Sequence, residues 1–222
     1  MMEIMTIALG GVNAYLVKSD SGFVLCDSGF AGNRSVLQKF LDEAGVTVDN
    51  LKVVLFTHGD IDHTGNGLYL RQKYGVKLAI HPLDRRMVEE RNFQDDRLVK
   101  SFLMKVMQTL FKPGFKKMMA GFEIFSPDLL LQDGQDLKEF SMDGTVIHTP
   151  GHTDGSISIL LSDGSLIAGD ILQNRSGKPR PSFIISNEEQ LTDSLQKLKK
   201  LDIQRVYPGH GKPFRMSLYH WQ

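Results

Sequence analysis

The chain reads as an α/β layered sandwich, a class predicted by three features of its sequence. Apolar strand-like runs and helix-periodic segments are interleaved in both halves, and the second half repeats the grammar of the first. Four short loops, each following an apolar run, place His or Asp beside glycine. With 222 residues, 41% of them hydrophobic, the chain can fill a sizeable core, and one globular domain over 1–222 is the expectation.

The first half opens on a β-hairpin, since Val12 to Lys18 and Phe23 to Cys26 alternate apolar positions around the turn-forming Ser19, Asp20, Ser21 and Gly22. A helix follows: Asn33 stands where a cap is needed, Val36, Leu37, Phe40 and Leu41 recur at helical spacing, and Gly45 provides a stop. Leu51 to Phe56 then forms a buried strand. In the second half, strands are expected at Gly144 to His148, Ser156 to Leu161, Leu166 to Ala168 and Arg205 to Tyr207, with a helix from Glu188 to about Leu201.

Between the halves, about 84–125, the pattern predicts a helical insertion whose Val99, Phe102, Leu103, Val106, Met107, Leu110 and Phe111 form one apolar stripe. The same segment carries Arg97, Lys100, Lys105, Lys112, Lys116 and Lys117, with no acid from 97 to 122. A basic amphipathic segment suits a lid over a site, a contact between two copies of the chain in a homodimer, a membrane surface, or plain packing on its own domain.

Lys plus Arg and Asp plus Glu both number 26, so no global field draws the protein to nucleic acid. The lone cysteine, Cys26, has no partner for an internal disulfide; it reads as a small buried hydrophobe and suits a reducing compartment. The N-terminal stretch MMEIMTIALGGVNAYL has no basic leader, and no window approaches the ~20 apolar residues of a membrane span. The expectation is a cytoplasmic protein with a small-molecule substrate, not a nucleic-acid or integral-membrane protein.

The chemistry is concentrated in the glycine-bearing loops. Thr57-His58-Gly59-Asp60-Ile61-Asp62-His63 follows an apolar strand, and the theme recurs at 149–153 (Thr-Pro-Gly-His-Thr), 168–170 (Ala-Gly-Asp) and 207–211 (Tyr-Pro-Gly-His-Gly). Crowding such polar groups at strand ends is costly without a ligand, and ligands on separate strand ends can converge on one point. Alone, each of His58, His63, His152 and His210 reads as a core or turn histidine; together they point to a shared cation. His81 and His148 read as structural, His220 as exposed near the terminus, and Asp27 as either an acceptor that orders the loops or a turn cap. Arg175, Lys178 and Arg180 follow Asp170 in a Gly/Pro loop, suited to an anionic part of a substrate or simply solvated. There is no GxSxG elbow, and Cys26 lies within a strand, so a covalent nucleophile has little support.

The order HxxxDH, GHT, GD, GHG resembles the metallo-β-lactamase-fold superfamily across nearly the whole chain. The resemblance implies a four-layer αββα sandwich, here with the helical insertion, and two divalent metal ions, zinc first, with iron or manganese also compatible. It implies that His58, Asp60 and His152 hold one ion, that Asp62, His63 and His210 hold the other, and that Asp170 bridges them. A metal-bound hydroxide would be the nucleophile, with Asp62 orienting it and relaying its proton. The sequence departs from the commoner HxHxDH by placing Asp60 where the second histidine stands. Two dications bring about +4, against about −4 from Asp60, Asp62, Asp170 and hydroxide, so Lewis acidity is weakened and preference shifts toward harder metals. The implied function is a metal-dependent hydrolase of a small ester, lactone or thioester. The alternatives in the same fold are an iron-dependent redox enzyme, of sulfur dioxygenase or diiron oxygen reductase type, and a phosphodiesterase.

Overall fold

The computed structural model describes residues 2–93, 98–99 and 121–221. The first half runs β1 (Glu3–Ala8), β2 (Asn13–Ser19), β3 (Gly22–Cys26), α1 (Arg34–Glu43), β4 (Leu51–Leu55), α2 (Ile61–Thr64), α3 (Gly67–Tyr74), β5 (Lys77–Ile80), α4 (Arg85–Glu90), β6 (Leu98–Val99) and β7 (Leu129–Leu130). The second runs β8 (Gly144–His148), β9 (Ile157–Leu161), β10 (Ser165–Gly169), β11 (Leu172–Gln173), β12 (Arg180–Pro181), β13 (Ile184–Ile185), α5 (Glu188–Lys199), β14 (Arg205–Pro208) and β15 (Phe214–Arg215). One sheet has the order β1-β2-β3-β4-β5-β7 and the other β15-β14-β10-β9-β8, with small ribbons β11-β12 and β13-β6.

The strand sequences dictate the layering, because successive side chains leave a strand on opposite faces and here both faces are buried. In β3, Phe23 and Leu25 join the core under the helices, while Val24 and Cys26 join the core between the sheets. In β10, Ile167 enters that same central core, while Leu166 and Ala168 turn to the opposite outer core. Leu37 and Leu41 of α1 and Leu70 of α3 cover the first sheet, and Leu191 and Leu198 of α5 cover the second. Three cores separate four layers, αββα, as the resemblance implies.

The predicted hairpin is present, with Ser19 opposite Gly22. Gly45, at φ +77, ends α1 as expected. Asn33 does not cap that helix with its side chain, because it closes a 3-10 turn over Ala31–Asn33 that leads directly into α1. Asn187 does cap α5, accepting from the Gln190 backbone N–H at 3.0 Å. Cys26 is fully buried between the sheets, and burial pushes its thiol well above the usual range.

The helical insertion needs correction where it is described. Helix α4 ends at Glu90, where Arg91 turns left-handed at φ +58, and residues 121–125 form no helix. Val99, expected to begin the apolar stripe, lies in β6 and pairs with Ile184 of β13. Helical periodicity cannot weigh a backbone partner so distant in sequence. Phe102, Leu103, Val106, Met107, Leu110 and Phe111, with Arg97, Lys100, Lys105, Lys112, Lys116 and Lys117, lie outside the described residues. Among the described residues, no helix is long and apolar enough to cross a membrane.

Leu55 has 0% exposure in the core between the sheets. Truncation by Leu55→Ala is expected to cost about 2–5 kcal/mol. Urea unfolding should show this as a lower midpoint with an unchanged slope; an unchanged midpoint would mean that this core does not hold the two sheets.

Candidate metal centre

The loops meet because parallel neighbours end on the same side of a sheet. Strand β4 runs parallel to β3, and β10 runs parallel to β14, so Asp27, Thr57, Asp170 and His210 emerge from aligned strand ends. The turn from β8 to β9 adds His152, and α2 adds Asp62 and His63, with Asp60 at its N-cap. Backbone bonds cross between the sheets at this end: Ile157 N–H donates to Thr57 O and Asn13 N–H to Gly209 O, both at 2.8 Å.

The structure brings all seven sequence-predicted side chains together. Asp60 Oδ2 lies 3.1 Å from His152 Nε2 and 3.5 Å from His58 Nε2. Asp62 Oδ2 lies 3.4 Å from His210 Nε2 and 3.9 Å from His63 Nε2. Asp170 stands between these groups, with Oδ1 3.5 Å from His63 Nε2 and Oδ2 3.2 Å from His210 Nε2 and 3.9 Å from His152 Nε2.

The donor chemistry fits a divalent cation. Each imidazole spends Nδ1 on the protein: His152 on Ile184 O (2.7 Å), His210 on Gly11 O (2.6 Å), His63 on Asp27 Oδ2 (2.8 Å) and His58 on Thr57 Oγ1 (3.0 Å). The two carbonyls can only accept, which puts the proton on Nδ1 of His152 and His210. The Thr57 hydroxyl donates to Asp27 Oδ2 at 2.8 Å, so its lone pair is left for His58. The Nε2 atoms therefore converge as electron-pair donors. His58 Nε2, His63 Nε2 and Asp170 Oδ1 are buried without a hydrogen-bond partner, an expensive state that a cation relieves.

Charge in the cation-free cluster is shared among the same groups. Burial works against protonating His63, yet Asp27 and Asp62 raise it to about 9. Burial likewise opposes protonation of His210, yet Asp170 raises it to about 10. Burial would raise Asp170, but His210 and His63 hold it well below the usual carboxylate range. Burial, with His63 beside it, lowers His58.

Gly209 is a steric requirement of the centre, since a Cβ there would lie 2.3 Å from Asp170 Oδ1 and 2.7 Å from His63 Cε1. Asp27, at φ +63, acts as the acceptor of the two roles open to it in sequence, taking Thr57 N–H, Thr57 Oγ1–H and His63 Nδ1 at 2.8 Å each. Thr57 and Gln173 were not marked by the sequence reading. Gln173 Nε2 donates to Asp170 Oδ2 at 2.8 Å, and a glutamine three residues beyond Asp170 carries no local signal of that contact.

Of the expected substrate-binding residues, Arg175 connects to the cluster through Gln173, with Nε donating to Gln173 Oε1 at 3.2 Å and its guanidinium 5.5 Å from the Phe183 ring. Arg180 donates to Ser176 Oγ within its own loop and Lys178 is exposed; among the described residues, neither joins the cluster's hydrogen bonds. His81 and His148 stack on each other, with centroids 4.1 Å apart, and stay outside the cluster, as expected. His220 is exposed.

This fold, with a donor set at the sheet ends that fits a divalent cation, defines a metal-dependent class of enzyme, and the family profile described as the metallo-beta-lactamase superfamily matches residues 7–210. The chain belongs to that superfamily. It is 27% identical to the probable metallo-hydrolase YqgX of Bacillus subtilis, over 90% of this chain and 84% of that protein. It is 31% identical to the hydroxyacylglutathione hydrolase GloC of Haemophilus influenzae, over 73% of this chain and 69% of that protein. Among solved structures, a metallo-beta-lactamase family protein from Thermus thermophilus superposes with a TM-score of 0.70 at 23% identity, covering 96% of this chain and 74% of that one. The protein is thus a metal-dependent hydrolase by family.

Three outcomes follow from this geometry. Asp27→Ala removes the acceptor from His63 and Thr57 and is expected to weaken metal binding about 10–100-fold, measured by competition with a chromophoric chelator; unchanged affinity would contradict the role given to Asp27. The raised His63 and His210 stabilise the cation-free fold fully below their ordinary 6.5, and that contribution is lost as pH rises through about 9 and about 10. Chelated protein should therefore lose urea resistance between pH 6.5 and 10, and zinc uptake at pH 7 should release protons, read from calorimetry in buffers of different ionisation enthalpy.

Proposed function

We propose that the protein is a two-cation hydrolase of small acyl substrates, with thioesters and esters first. The observation that carries this reading is Asp170, set between two donor groups, His58–Asp60–His152 and Asp62–His63–His210. In this reading the first group holds one ion, the second holds the other, and Asp170 serves both. Bound divalent ions would supply activated water and polarise the scissile carbonyl.

The chain's own residues supply the rest. Burial works against the Asp62 charge, but His63 and His210 win and hold it below the usual carboxylate range, so it stays an acceptor at neutral pH. It orients the attacking water and takes its proton. Gln173 steadies Asp170, and Arg175, backed by Phe183, faces an anionic part of the substrate. Lys178 and Arg180 lie on the same loop and are proposed to extend that anionic subsite. Thioester hydrolysis draws support from the Haemophilus influenzae relative named as a hydroxyacylglutathione hydrolase. Zinc is the first choice of metal; Asp60 adds an oxygen donor that brings iron or manganese into competition. A small-molecule substrate, a cytoplasmic setting and a homodimer through the 84–125 segment complete the reading.

The test is metal analysis joined to a panel of a glutathione thioester, an aryl ester, a lactone and a phosphodiester. Two equivalents of metal and turnover of the thioester or ester are expected. Asp62→Asn should lower kcat by at least about 10²-fold, and Arg175→Ala should raise KM for anionic substrates with kcat kept. Oxygen uptake with a persulfide and no acyl hydrolysis would overturn this function.

A further inference from the structure

We propose that Asp84 is a positioning residue for one of the two cation sites alone: it fixes the separation between the loop carrying His58 and Asp60 and the loop carrying His152. The inference rests on the two-site reading above. Asp84 has 0% exposure, and it stands where the turn Pro82–Asp84 passes into α4. Its Oδ2 accepts from Gly59 N–H at 2.9 Å and from Thr153 Oγ1–H at 2.7 Å, while Oδ1 accepts from Gly155 N–H at 2.8 Å. Gly59 lies between His58 and Asp60, and Thr153 directly follows His152. One carboxylate thus grips both loops across 25, 69 and 71 residues of sequence.

A buried carboxylate is costly unless hydrogen bonds replace its lost hydration. Among the described residues no Lys or Arg pairs with Asp84, so these three donors carry that task. The two glycines show how closely the loops are drawn in. A Cβ at Gly155 would lie 2.6 Å from Asp84 Cγ, and one at Gly59 would lie 2.7 Å from Met87 Cβ of α4. The contacts are also selective. Asp27 serves His63 directly and reaches His58 through Thr57, and so touches both donor groups. Among the described residues, the Asp84 carboxylate bonds to Gly59, flanked by His58 and Asp60, and to Thr153 and Gly155 just after His152, while Asp62 and His63 lie three and four residues beyond Gly59, in α2. Among the described residues, the group containing Asp60 is therefore held by a carboxylate clamp that does not bond directly beside the ligands of the other group.

The experiment compares wild type with Asp84→Asn, Asp84→Ala, Thr153→Val and Thr153→Ser, each stripped with chelator and titrated with zinc and with cobalt. Wild type should take up two equivalents. In Asp84→Asn and Asp84→Ala one equivalent should weaken about tenfold or more while the other keeps its affinity, and one set of cobalt d–d bands should fade selectively. Thr153→Val, which leaves both N–H bonds to Asp84, should weaken the same equivalent by a smaller factor, and Thr153→Ser should restore it. If the Asp84 variants fail to fold, the Thr153 pair decides. Equal weakening of both equivalents, or no weakening of either, overturns the proposal while leaving the two-site reading intact. A wild type that takes up one equivalent, insensitive to His58→Ala, sinks the two-site reading and this proposal with it. A single equivalent that is lost in His58→Ala but unmoved in the Asp84 and Thr153 variants sinks the role of Asp84.

Discussion

His58 and His63 keep Nε2 buried with no partner in the protein, at the one end of the sandwich where four imidazoles and three carboxylates meet. Neither atom is exposed to water, and the carboxylates of Asp60, Asp62 and Asp170 approach them no closer than 3.5 Å, so a shared cation would meet a demand that the protein's own contacts meet only in part. The anchoring of the other ring nitrogens extends that demand into the scaffold. His210, from the second sheet, is fixed by Gly11 O beside the first, and His152 is fixed by Ile184 O ahead of α5. A cation at the Nε2 atoms would therefore tie together backbone from both sheets, not merely local loops.

Part of the local strain in the chain lies at the same end. Asp27 is held left-handed, a conformation that a non-glycine residue adopts only when its surroundings enforce it, and three hydrogen bonds at 2.8 Å do so. Gly209 leaves no room for any side chain against Asp170. These are places where local preference yields to the site, which is where such violations are expected in a functional protein. Elsewhere, the left-handed Arg91 and Ser141 each end a short helix or 3-10 turn, and the strands, with alternating Val, Leu and Ile buried on both faces, follow their local preference.

That contrast explains what was legible in the sequence. The interior strands could be read because β3, β4, β9 and β10 are short apolar runs with clear ends, and α1 and α5 because their apolar stripes face one core each. Strand β1 was missed: it is an edge strand whose residues, Ile7 apart, are exposed or half-exposed, so its alternation is weak. Helix α3 begins at a glycine and has little amphipathicity to read, and β6 owes its state to Ile184 and Ile185. The seven donors were legible because each sits in a glycine-flanked loop after an apolar run. Thr57, Asp84 and Gln173 were not, because each acts through a hydrogen bond that only the folded chain creates, and an isolated Thr, Asp or Gln has many ordinary uses.

Asp60 shows the same conflict within a single residue. It occupies the N-cap of α2 in extended conformation, the position where an aspartate normally accepts a backbone N–H of the first turn and contributes about 1 kcal/mol to the helix. Its side chain makes no such bond, and Oδ2 instead lies 3.1 Å from His152 Nε2 and 3.5 Å from His58 Nε2. A carboxylate turned from its own helix N-terminus toward two imidazole nitrogens has given up a favourable local contact for a distant one. The His152 and His58 Nδ1 atoms are already engaged, so Nε2 is the ring atom left to face Asp60, within hydrogen-bond distance at His152, and a proton or a metal ion is needed to hold nitrogen and carboxylate together. That arrangement becomes favourable when a positive ion lies between the three groups, and the aspartate at position 60 is then a functional donor in place of a histidine.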